Sequence, residues 1–475
     1  MAPHADGLPR MSELPWMGAA ALAAAYAKRE LSPVEVVGAL FDRITALDGG
    51  LNAFILPDRD GAMAAARAAE AEMMAGRSRG PLHGVPFGVK DIIDVAGLPT
   101  TCHSKILQGN VAAADAAVVA KLRGVGAIPM GKLSTHEFAI GGPCFDLPYK
   151  PARNPWNRDH HPGGSSSGSG AGLAAGFFPL AFGTDTGGSV RNPASACGIV
   201  GLKPTYGLVS RRGVFPLSFT LDHVGPMARD AADAALLLEA MAGHDPADPG
   251  SAPAPALRAS AGLMDGIAGL RVGYLRHFHE TDAQAHEEVA AGLDGVAAAL
   301  AEQGATVRTM ALPPLADFIA VNRTILAAES WSIHAPWLRS RPGDYAAMTR
   351  SRLLTGAFVN AGDYVGAQRA RLALIRAVND AFREADVLLC ASSLDPACRI
   401  DDAAEVARTY GRQCRMPFNV TGHPALAMMS GLSSGGLPLS VQFVGPLHAD
   451  ALLLRVAASY ERVASWRGKR PNLAA

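Results

Sequence analysis

The stretch "PGGSSSGSGAG", residues 162–172, is richer in glycine and serine than any other part of this 475-residue chain. Such a composition is typical of a flexible linker. Apolar sequence follows it directly, however, which argues against a spacer. A phosphate-binding loop would need G-x-x-x-x-G-K-[ST], and that pattern is absent. The role of these small residues therefore has to be inferred from the sequence around them.

Two other patterns within the stretch match known loops but lack the strand that each requires. Residues 170–175 match the glycine pattern of a dinucleotide-binding turn. Residues 164–168 match G-x-S-x-G, the nucleophile elbow of esterases, with Ser166 as nucleophile. Both loops follow a β-strand directly, whereas "NPWNRDHHP", residues 154–162, precedes this stretch. The sequence therefore disfavours both functions.

The composition favours a globular cytoplasmic protein. Apolar residues make up 49% of the chain, charged residues make up 18%, and the net charge is zero. A neutral chain lacks the positive surface expected of a nucleic-acid-binding protein. The six cysteines form no CxxC pair and the histidines form no HExxH motif, which indicates reduced thiols and no metal site. The apolar run at residues 17–27 is too short to span a bilayer.

Helical and strand patterns alternate along the chain. Residues 32–47 have the marks of an amphipathic helix, with Ser32 and Glu35 placed as a capping box. Several predicted strands are continuously apolar, which is typical of a sheet covered on both faces. These strands are residues 84–94, 126–134 and 179–183, with two more at 425–445. We therefore predict an α/β fold with three α/β/α layers.

Two segments depart from this alternation. Residues 245–268 are rich in proline, alanine and serine, and we interpret them as a surface crossover between two halves of one domain, with a true domain boundary as the alternative. Residues 315–415 are rich in arginine and have helical patterns. We expect them to form a peripheral layer or a lid.

A second glycine-rich motif, "FGTDTGGSVRNP" at residues 182–193, follows a predicted buried strand. Consecutive small residues after a strand can direct several backbone N–H groups toward one point. Such a nest beside the hydroxyl of Ser189 is the arrangement that acyl transfer needs. From the motif alone, a simple tight turn at Gly187 and Gly188 explains the pattern equally well.

A serine nucleophile also needs a base. His83 and His161 are the only histidines in these glycine-rich motifs, so a lysine is the alternative. Keeping a lysine neutral at pH 7 costs roughly 4 kcal/mol, which only a packed apolar pocket supports. Three lysines have suitable surroundings, and these physical criteria do not choose among them: Lys90, Lys132 and Lys203.

Four motifs together resemble those of the amidase signature family. They are "LHGVPFGVKDIIDVAG" (82–97), the opening glycine–serine stretch, "GTDTGGSVRNPASACGIVGLKPTYGLVS" (183–210) and "LDHVGPMARD" (221–230). The resemblance runs from about residue 32 to 238 and resumes at "PFNVTGHPA" (417–425). It implies a single large three-layer α/β/α domain around a mixed β-sheet, spanning residues 1–475, with a signature core at 80–230 and a variable helical or lid segment at 250–415.

The resemblance also implies a Ser–Ser–Lys triad. By motif, Ser189 is the nucleophile, Ser165 is the bridging serine with a cis peptide bond, and Lys90 is the base. The oxyanion hole would consist of the backbone N–H groups of Thr186, Gly187, Gly188 and Ser189. Asp185 and Arg191 flank this loop and would either orient it or form a structural ion pair. Such a triad needs no cofactor. The resemblance also explains the opening glycine–serine stretch, because its small residues would allow Ser165 to lie between Lys90 and Ser189.

The sequence departs from the transamidase members of that family. Residues 137–150 lack a Ser/Thr/Glu-rich stretch, and "YGRQCRM" at 410–416 lacks an acidic residue to bind the ammonium of glutamine. A free-standing hydrolase of apolar or aryl amides, anilides, esters or carbamates is therefore favoured. Its acyl pocket would be lined by Ala139, Ile140, Gly141 and Phe145, with core packing as the alternative role. Ser167 replaces a more usual glycine, and its small size should leave the triad intact.

Three other hypotheses stay open at this point: the A-type subunit of a glutamine-dependent tRNA amidotransferase, a non-catalytic binding protein, and a histidine-dependent esterase acting through Ser166. The favoured hypothesis expects a small-molecule amide, ester or carbamate as the substrate. It expects no nucleic-acid or membrane partner, and it leaves a homodimer open.

Overall fold

The computed structural model describes residues 13–254 and 256–473. The predicted domain of residues 1–475 also includes residues 1–12, 255, 474 and 475, which lie outside the described residues. Within the described residues, eleven strands form one sheet in the order β1-β3-β2-β4-β6-β5-β10-β11-β9-β7-β8. The strands are β1 Phe54–Pro57, β2 Pro86–Lys90, β3 Ile128–Leu133, β4 Leu180–Asp185, β5 Val200–Lys203, β6 His223–Ala228, β7 Arg271–Tyr274, β8 Thr306–Thr309, β9 Val387–Ala391, β10 Ala425–Leu432 and β11 Pro438–Val444.

Fifteen α-helices accompany the sheet in the described part of the chain. They are α1 Ala19–Ala27, α2 Pro33–Leu47, α3 Arg59–Met74, α4 Ala117–Gly124, α5 Ser167–Ala174, α6 Arg191–Cys197, α7 Ala231–Met241, α8 His277–Glu280, α9 Glu287–Glu302, α10 Leu315–Ser340, α11 Ala347–Leu354, α12 Ala361–Ala381, α13 Ala403–Thr409, α14 Met416–Thr421 and α15 Asp450–Val463. None of the described helices is both long enough and apolar enough to cross a membrane.

The sheet is mixed and is covered on both faces, as predicted. Strand β2 pairs in parallel with β3 and β4, whereas β4 and β6 are antiparallel. Successive residues of a strand point to opposite faces. Leu180 and Phe182 of β4 belong to one apolar cluster, and Ala181 belongs to a second cluster that includes helix α2. The two clusters fill the spaces between the sheet and its two helical layers.

The capping box predicted for α2 is present. Ser32 Oγ accepts from the Glu35 N–H, and the Glu35 carboxylate accepts from the Ser32 N–H at 2.8 Å. These two bonds satisfy donors that the start of a helix otherwise leaves unpaired. Helix α2 therefore begins where the sequence predicts it.

The segment 250–415 has more β-structure than its helical patterns predict. It contains α10 and α12, but it also contributes strands β7, β8 and β9 to the sheet. Strand β9 is fully buried between β11 and β7. Its five residues are too few for periodicity alone to distinguish them from part of a helix. The division into a core at 80–230 and a lid at 250–415 stays a prediction.

The register of β2 and β4 brings together the residues that the sequence singles out. Val89 lies opposite Phe182 in the parallel pairing. Lys90 and Thr184 therefore reach the same edge of the sheet, at the carboxyl ends of their strands. Open α/β sheets commonly bind ligands at this edge.

The glycine–serine stretch becomes the tightly packed helix α5 instead of a linker. Helix α5 begins at Ser167, and every one of its residues is buried. A Cβ atom added at Gly168 would collide with the backbone oxygen of Ala53 and would lie 2.6 Å from the backbone nitrogen of Ser134. Only glycine lets α5 approach the neighbouring backbone this closely.

We predict that Gly168→Ala lowers the free energy of unfolding by about 1–3 kcal/mol, because the added methyl group overlaps a backbone that cannot move away freely. The matched control is Gly38→Ala, in the middle of α2, where a Cβ would have no neighbour within 4 Å. The control should be neutral or slightly stabilising. Thermal denaturation of both variants tests this, and equal melting temperatures would contradict the packing argument.

Candidate active site

Lys90 is the last residue of β2 and its side chain is completely buried. Its Nζ lies 2.7 Å from Ser165 Oγ and 2.8 Å from Thr184 Oγ1. It forms no ion pair with a carboxylate in the described part of the chain. The residue is therefore an amino group whose hydrogen-bond partners are two hydroxyl groups.

Burial lowers the pKa of Lys90 to about 7. The ammonium form loses its hydration in this position, so the neutral amine is favoured. The carboxylates of Asp185 and Asp222 act in the opposite direction and keep the pKa from falling further. Near neutral pH the group thus exists in both protonation states, which suits a general base.

The structure distinguishes Lys90 from its two rivals. Lys132 Nζ forms a buried ion pair with Asp91 at 2.9 Å and a hydrogen bond with Thr100 Oγ1 at 2.8 Å. Lys203 Nζ donates to the backbone oxygen of Pro204 at 2.9 Å. Neither amino group contacts a serine of the two glycine-rich motifs, so only Lys90 is placed to act on them.

The peptide bond between Gly164 and Ser165 is cis. The backbone of this turn is held on both sides, because His136 N–H donates to Ser165 O at 3.1 Å and Ser166 N–H donates to Ser189 O at 3.3 Å. A Cβ atom at Gly164 would collide with the imidazole ring of His136. The small residues thus allow Ser165 to lie between the strand that carries Lys90 and the loop that carries Ser189.

Ser189 lies in the loop between β4 and α6 and is only partly buried. Asp185, at the end of β4, organises this loop. Its carboxylate accepts from the Gly188 N–H at 2.9 Å and from the Val190 N–H at 3.1 Å, and it pairs with the Arg191 guanidinium at 2.8 Å. The sequence left open whether Asp185 and Arg191 orient the loop or form a structural ion pair. Asp185 does both, because the same carboxylate binds the loop N–H groups and the Arg191 guanidinium.

These contacts correct one part of the predicted oxyanion hole. The N–H of Gly188 is directed at Asp185 Oδ1 and is already satisfied. The predicted donors are thereby reduced to the N–H groups of Thr186, Gly187 and Ser189. The sequence motif could not show this, because the direction of an N–H depends on where the Asp185 carboxylate lies.

The pKa of the Asp185 carboxyl group reflects the same contacts. Burial alone would raise it, but the charge and hydrogen bonds of Arg191 outweigh burial and hold the pKa well below its ordinary value. The carboxylate is therefore ionised throughout the physiological pH range and accepts hydrogen bonds from the loop at every pH in that range.

Two residues outside the predicted set anchor Thr186. Asn322, on helix α10, donates from Nδ2 to the backbone oxygen of Thr186 at 3.2 Å. Asp222 accepts from Thr186 Oγ1 at 2.6 Å. The motif "LDHVGPMARD" contains Asp222 and could have indicated it, whereas Asn322 lies in a segment without a recognisable motif.

Within the described residues, no histidine ring forms a hydrogen bond with a serine hydroxyl. Ser166 Oγ is completely buried and its hydrogen-bond partner is the backbone oxygen of Thr184, at 3.4 Å. His161 is buried, and its ring accepts from the Gly163 N–H at 2.7 Å. His83 contacts Glu72 and Arg79 instead. This geometry opposes the esterase hypothesis based on Ser166.

The predicted acyl-pocket residues lie in different surroundings. Ala139 and Ile140 are buried, and Gly141 lies beside Thr349 of α11. Phe145 is 57% exposed, which places most of its ring in solvent. These assignments stay predictions, and Phe145 is the one that its surroundings support least.

The neighbouring Phe138 has a more direct structural role. Its ring packs against Phe215 at 5.1 Å and His334 at 4.5 Å, and it also contacts Trp337 and Tyr345. Three of these partners come from the segment 315–345, so helix α10 supplies much of an aromatic wall. The sequence contains these aromatic residues but does not show that they pack together, because Phe215 is 77 residues from Phe138 and the other three partners are more than 190 residues away.

A cavity of about 520 Å³ lies over the strand ends beside Thr184. Ile92, Val214, Phe215 and Leu217 give it an apolar lining, and Asp222 contributes to its wall. Its volume lies within the range usual for small-molecule sites. Thr184 links this cavity to the amino group of Lys90.

A family model described as Amidase matches residues 35–454. The chain belongs to the amidase signature family. It is therefore an enzyme of the class that acts on the C–N bonds of amides, and the expected three-layer α/β fold with a mixed sheet is confirmed.

Among curated proteins, the A subunit of the glutamyl-tRNA(Gln) amidotransferase from Roseiflexus castenholzii is 37% identical over 94% of this chain and 96% of its own length. The peptide amidase of Stenotrophomonas maltophilia has a solved structure with a TM-score of 0.86, 30% identity, and coverage of 97% of this chain and 100% of its own. Another structure, reported with the words "evolutionary origins of an s-triazine catabolic enzyme", has a TM-score of 0.88 at 32% identity, with the same coverage of both chains.

We predict that kcat/KM for an amide substrate rises with pH through an apparent pKa of about 7. Lys90 must be neutral to accept a proton, and burial lowers its pKa to about 7, so the active form is lost as the pH falls below that value. Lys90→Ala should lower kcat by about 10²–10⁴-fold. A rate profile measured from pH 5 to 9 checks this, and a flat profile in the wild type would contradict the assignment of Lys90 as the base.

Proposed function

We propose that this chain hydrolyses small amides through an acyl-enzyme formed on Ser189. The observation that carries the proposal is the buried amino group of Lys90, 2.7 Å from Ser165 Oγ. This contact provides the base that a serine nucleophile needs and that no histidine provides among the described residues.

The proposed proton path runs through both serines. Neutral Lys90 accepts the proton of Ser165, and Ser165 accepts the proton of Ser189 as Ser189 Oγ attacks the amide carbon. Backbone N–H groups of Thr186, Gly187 and Ser189 stabilise the oxyanion. The proton returns through Ser165 to the leaving nitrogen, which departs as ammonia or an amine. Water then attacks the acyl-enzyme, loses its proton along the same path, and releases the carboxylic acid.

The apolar cavity beside Thr184 supports substrates that have an apolar or aromatic part. Phe215 connects the cavity to the aromatic wall around Phe138. Burial of an apolar group there contributes roughly 25 cal/mol per Å² of apolar surface removed from water. Amides and anilides with such groups are therefore the first substrates to test, followed by esters and carbamates.

We predict that Ser189→Ala abolishes turnover and that Ser166→Ala, its matched control, retains it. Ser189 is the proposed nucleophile, whereas the hydroxyl of Ser166 contacts a backbone oxygen. Labelling with a serine-directed fluorophosphonate, followed by mass spectrometry of the labelled peptide, locates the nucleophile independently. An adduct on Ser166, or no adduct with the folded wild type, would overturn the proposal.

A component of a tRNA-dependent amidotransferase is the second candidate function. The names of the curated relatives, 37% identical over nearly the whole chain, favour it more directly than they favour a free-standing hydrolase. In that case the ammonia released at Ser189 would serve another protein of the complex, and the expectation of no nucleic-acid partner would be wrong. The sequence of the loop 410–416 favours the first function, because it has no acidic side chain that could bind the ammonium of glutamine.

The isolated chain distinguishes the two functions. As a free-standing hydrolase it should release ammonia or an amine from aryl amides and anilides without any partner. As one component of a complex it should be inactive alone and should gain glutaminase activity when the partner proteins and tRNA are added. Ammonia release and aniline absorbance, measured with Ser189→Ala as the blank, report both outcomes.

A further inference from the structure

Arg415 is a buried cation next to the nucleophile loop. It precedes helix α14 and is only 3% exposed. A Cβ atom at Gly188 would lie 2.5 Å from Arg415 Nε and 2.8 Å from its Cδ. The arginine side chain thus occupies space that only a glycine at position 188 leaves open, directly against the loop that carries Ser189.

The guanidinium of Arg415 has no anionic partner among the described residues. Its Nη1 donates to Ser393 Oγ at 2.7 Å and to Ser392 Oγ at 3.4 Å, and both acceptors are neutral. Its Nε has no hydrogen-bond partner in the part of the chain that the structure describes. A buried charged group is normally paired, because its desolvation costs several kcal/mol.

The neighbouring charges do not neutralise Arg415. Asp185 already pairs with Arg191, which also donates to Asn419 and Gln442. One carboxylate therefore faces two guanidinium groups. Tyr410 is also close, but burial raises the pKa of its phenol to about 12, so it is neutral at physiological pH. The site consequently holds one unpaired positive charge within the described residues.

We propose that Arg415 selects amide substrates that carry a carboxylate, with the substrate supplying the anion that the protein lacks. Arginine suits this role because its planar guanidinium donates several hydrogen bonds to one carboxylate. This inference rests on the proposed amide hydrolysis and specifies its substrate class. In the proposed substrate, the carboxylate binds Arg415 and the apolar part enters the cavity beside Thr184.

The test compares matched amides by ammonia release. The anionic probes are succinamate, glutaramate and 4-carbamoylbenzoate, and their neutral counterparts are succinamide, glutaramide and 4-methylbenzamide. For the wild type, we expect kcat/KM to be at least 10-fold higher for one anionic amide than for its neutral counterpart. Arg415→Gln should remove this preference, mainly through KM, and Arg415→Lys should restore part of it.

The matched control is Arg412→Gln. Arg412 lies in the same loop but pairs with Asp395 at 2.7 Å, so its replacement should leave the preference intact. A wild type that hydrolyses neutral amides as fast as anionic ones would overturn this inference while leaving the proposed hydrolysis in place. A preference that persists in folded Arg415→Gln would overturn it as well.

If the proposed amide hydrolysis itself is wrong, the result is different. The wild type would then hydrolyse none of the probes and would not be labelled by the fluorophosphonate. If the Arg415 variants fail to fold, inhibition of the wild-type enzyme tests the carboxylate site instead. Glutarate should then compete with the substrate, and glutaramide at the same concentration should not. Equal inhibition by the two compounds would reject a carboxylate site.

Discussion

Lys90 lies at the end of β2, an interior strand of the sheet. Its side chain has no exposed surface, and its hydrogen-bond partners are two hydroxyl groups. Burial of the amino group without a paired carboxylate favours the neutral amine and brings its pKa to about 7. The rest of the site follows from this constraint. The glycine–serine turn brings Ser165 to the amine, and the loop after β4 places Ser189 beside the backbone of Ser166.

The ion pair of Asp185 and Arg191 connects this centre to the remainder of the fold. Asp185 holds the loop that carries Ser189 through two backbone N–H groups. Arg191 reaches Asn419 and Gln442, which follow the variable middle segment in the chain. The pair thereby ties the first half of the sheet to the last strands. Its full burial is supported because Asn419, Gln442 and the backbone oxygen of Arg415 accept from the remaining guanidinium donors.

Local sequence signals predicted much of the fold, whereas the three residues of the proposed triad came from the resemblance to the amidase signature family. The capping box of α2, the apolar strands and the glycine-rich motifs depend on neighbours within a few residues, so they can be recognised without a structure. The choice of Lys90 over Lys132 and Lys203 came from resemblance, because only tertiary contacts show that Lys132 is paired with Asp91.

Most features of the site that the sequence did not predict depend on contacts between residues far apart in the chain. Asn322 and Arg415 contact the loop that carries Ser189, although they lie 136 and 227 residues beyond their partners Thr186 and Gly188. The motif alone predicts an oxyanion donor at Gly188, whereas the position of the Asp185 carboxylate shows that this N–H is already bonded. The sequence does not predict strand β9, because five apolar residues are too few to show a strand or helix periodicity.

The most direct test of the central claim is the titration of the Lys90 amino group itself. The chain contains few lysines, so the ¹³Cε signals of labelled lysine can be resolved by NMR and assigned with Lys90→Met. We predict that the Lys90 signal titrates with a midpoint near pH 7. A midpoint near 10.5, the ordinary value for lysine, would show a charged ammonium at neutral pH and would contradict the account.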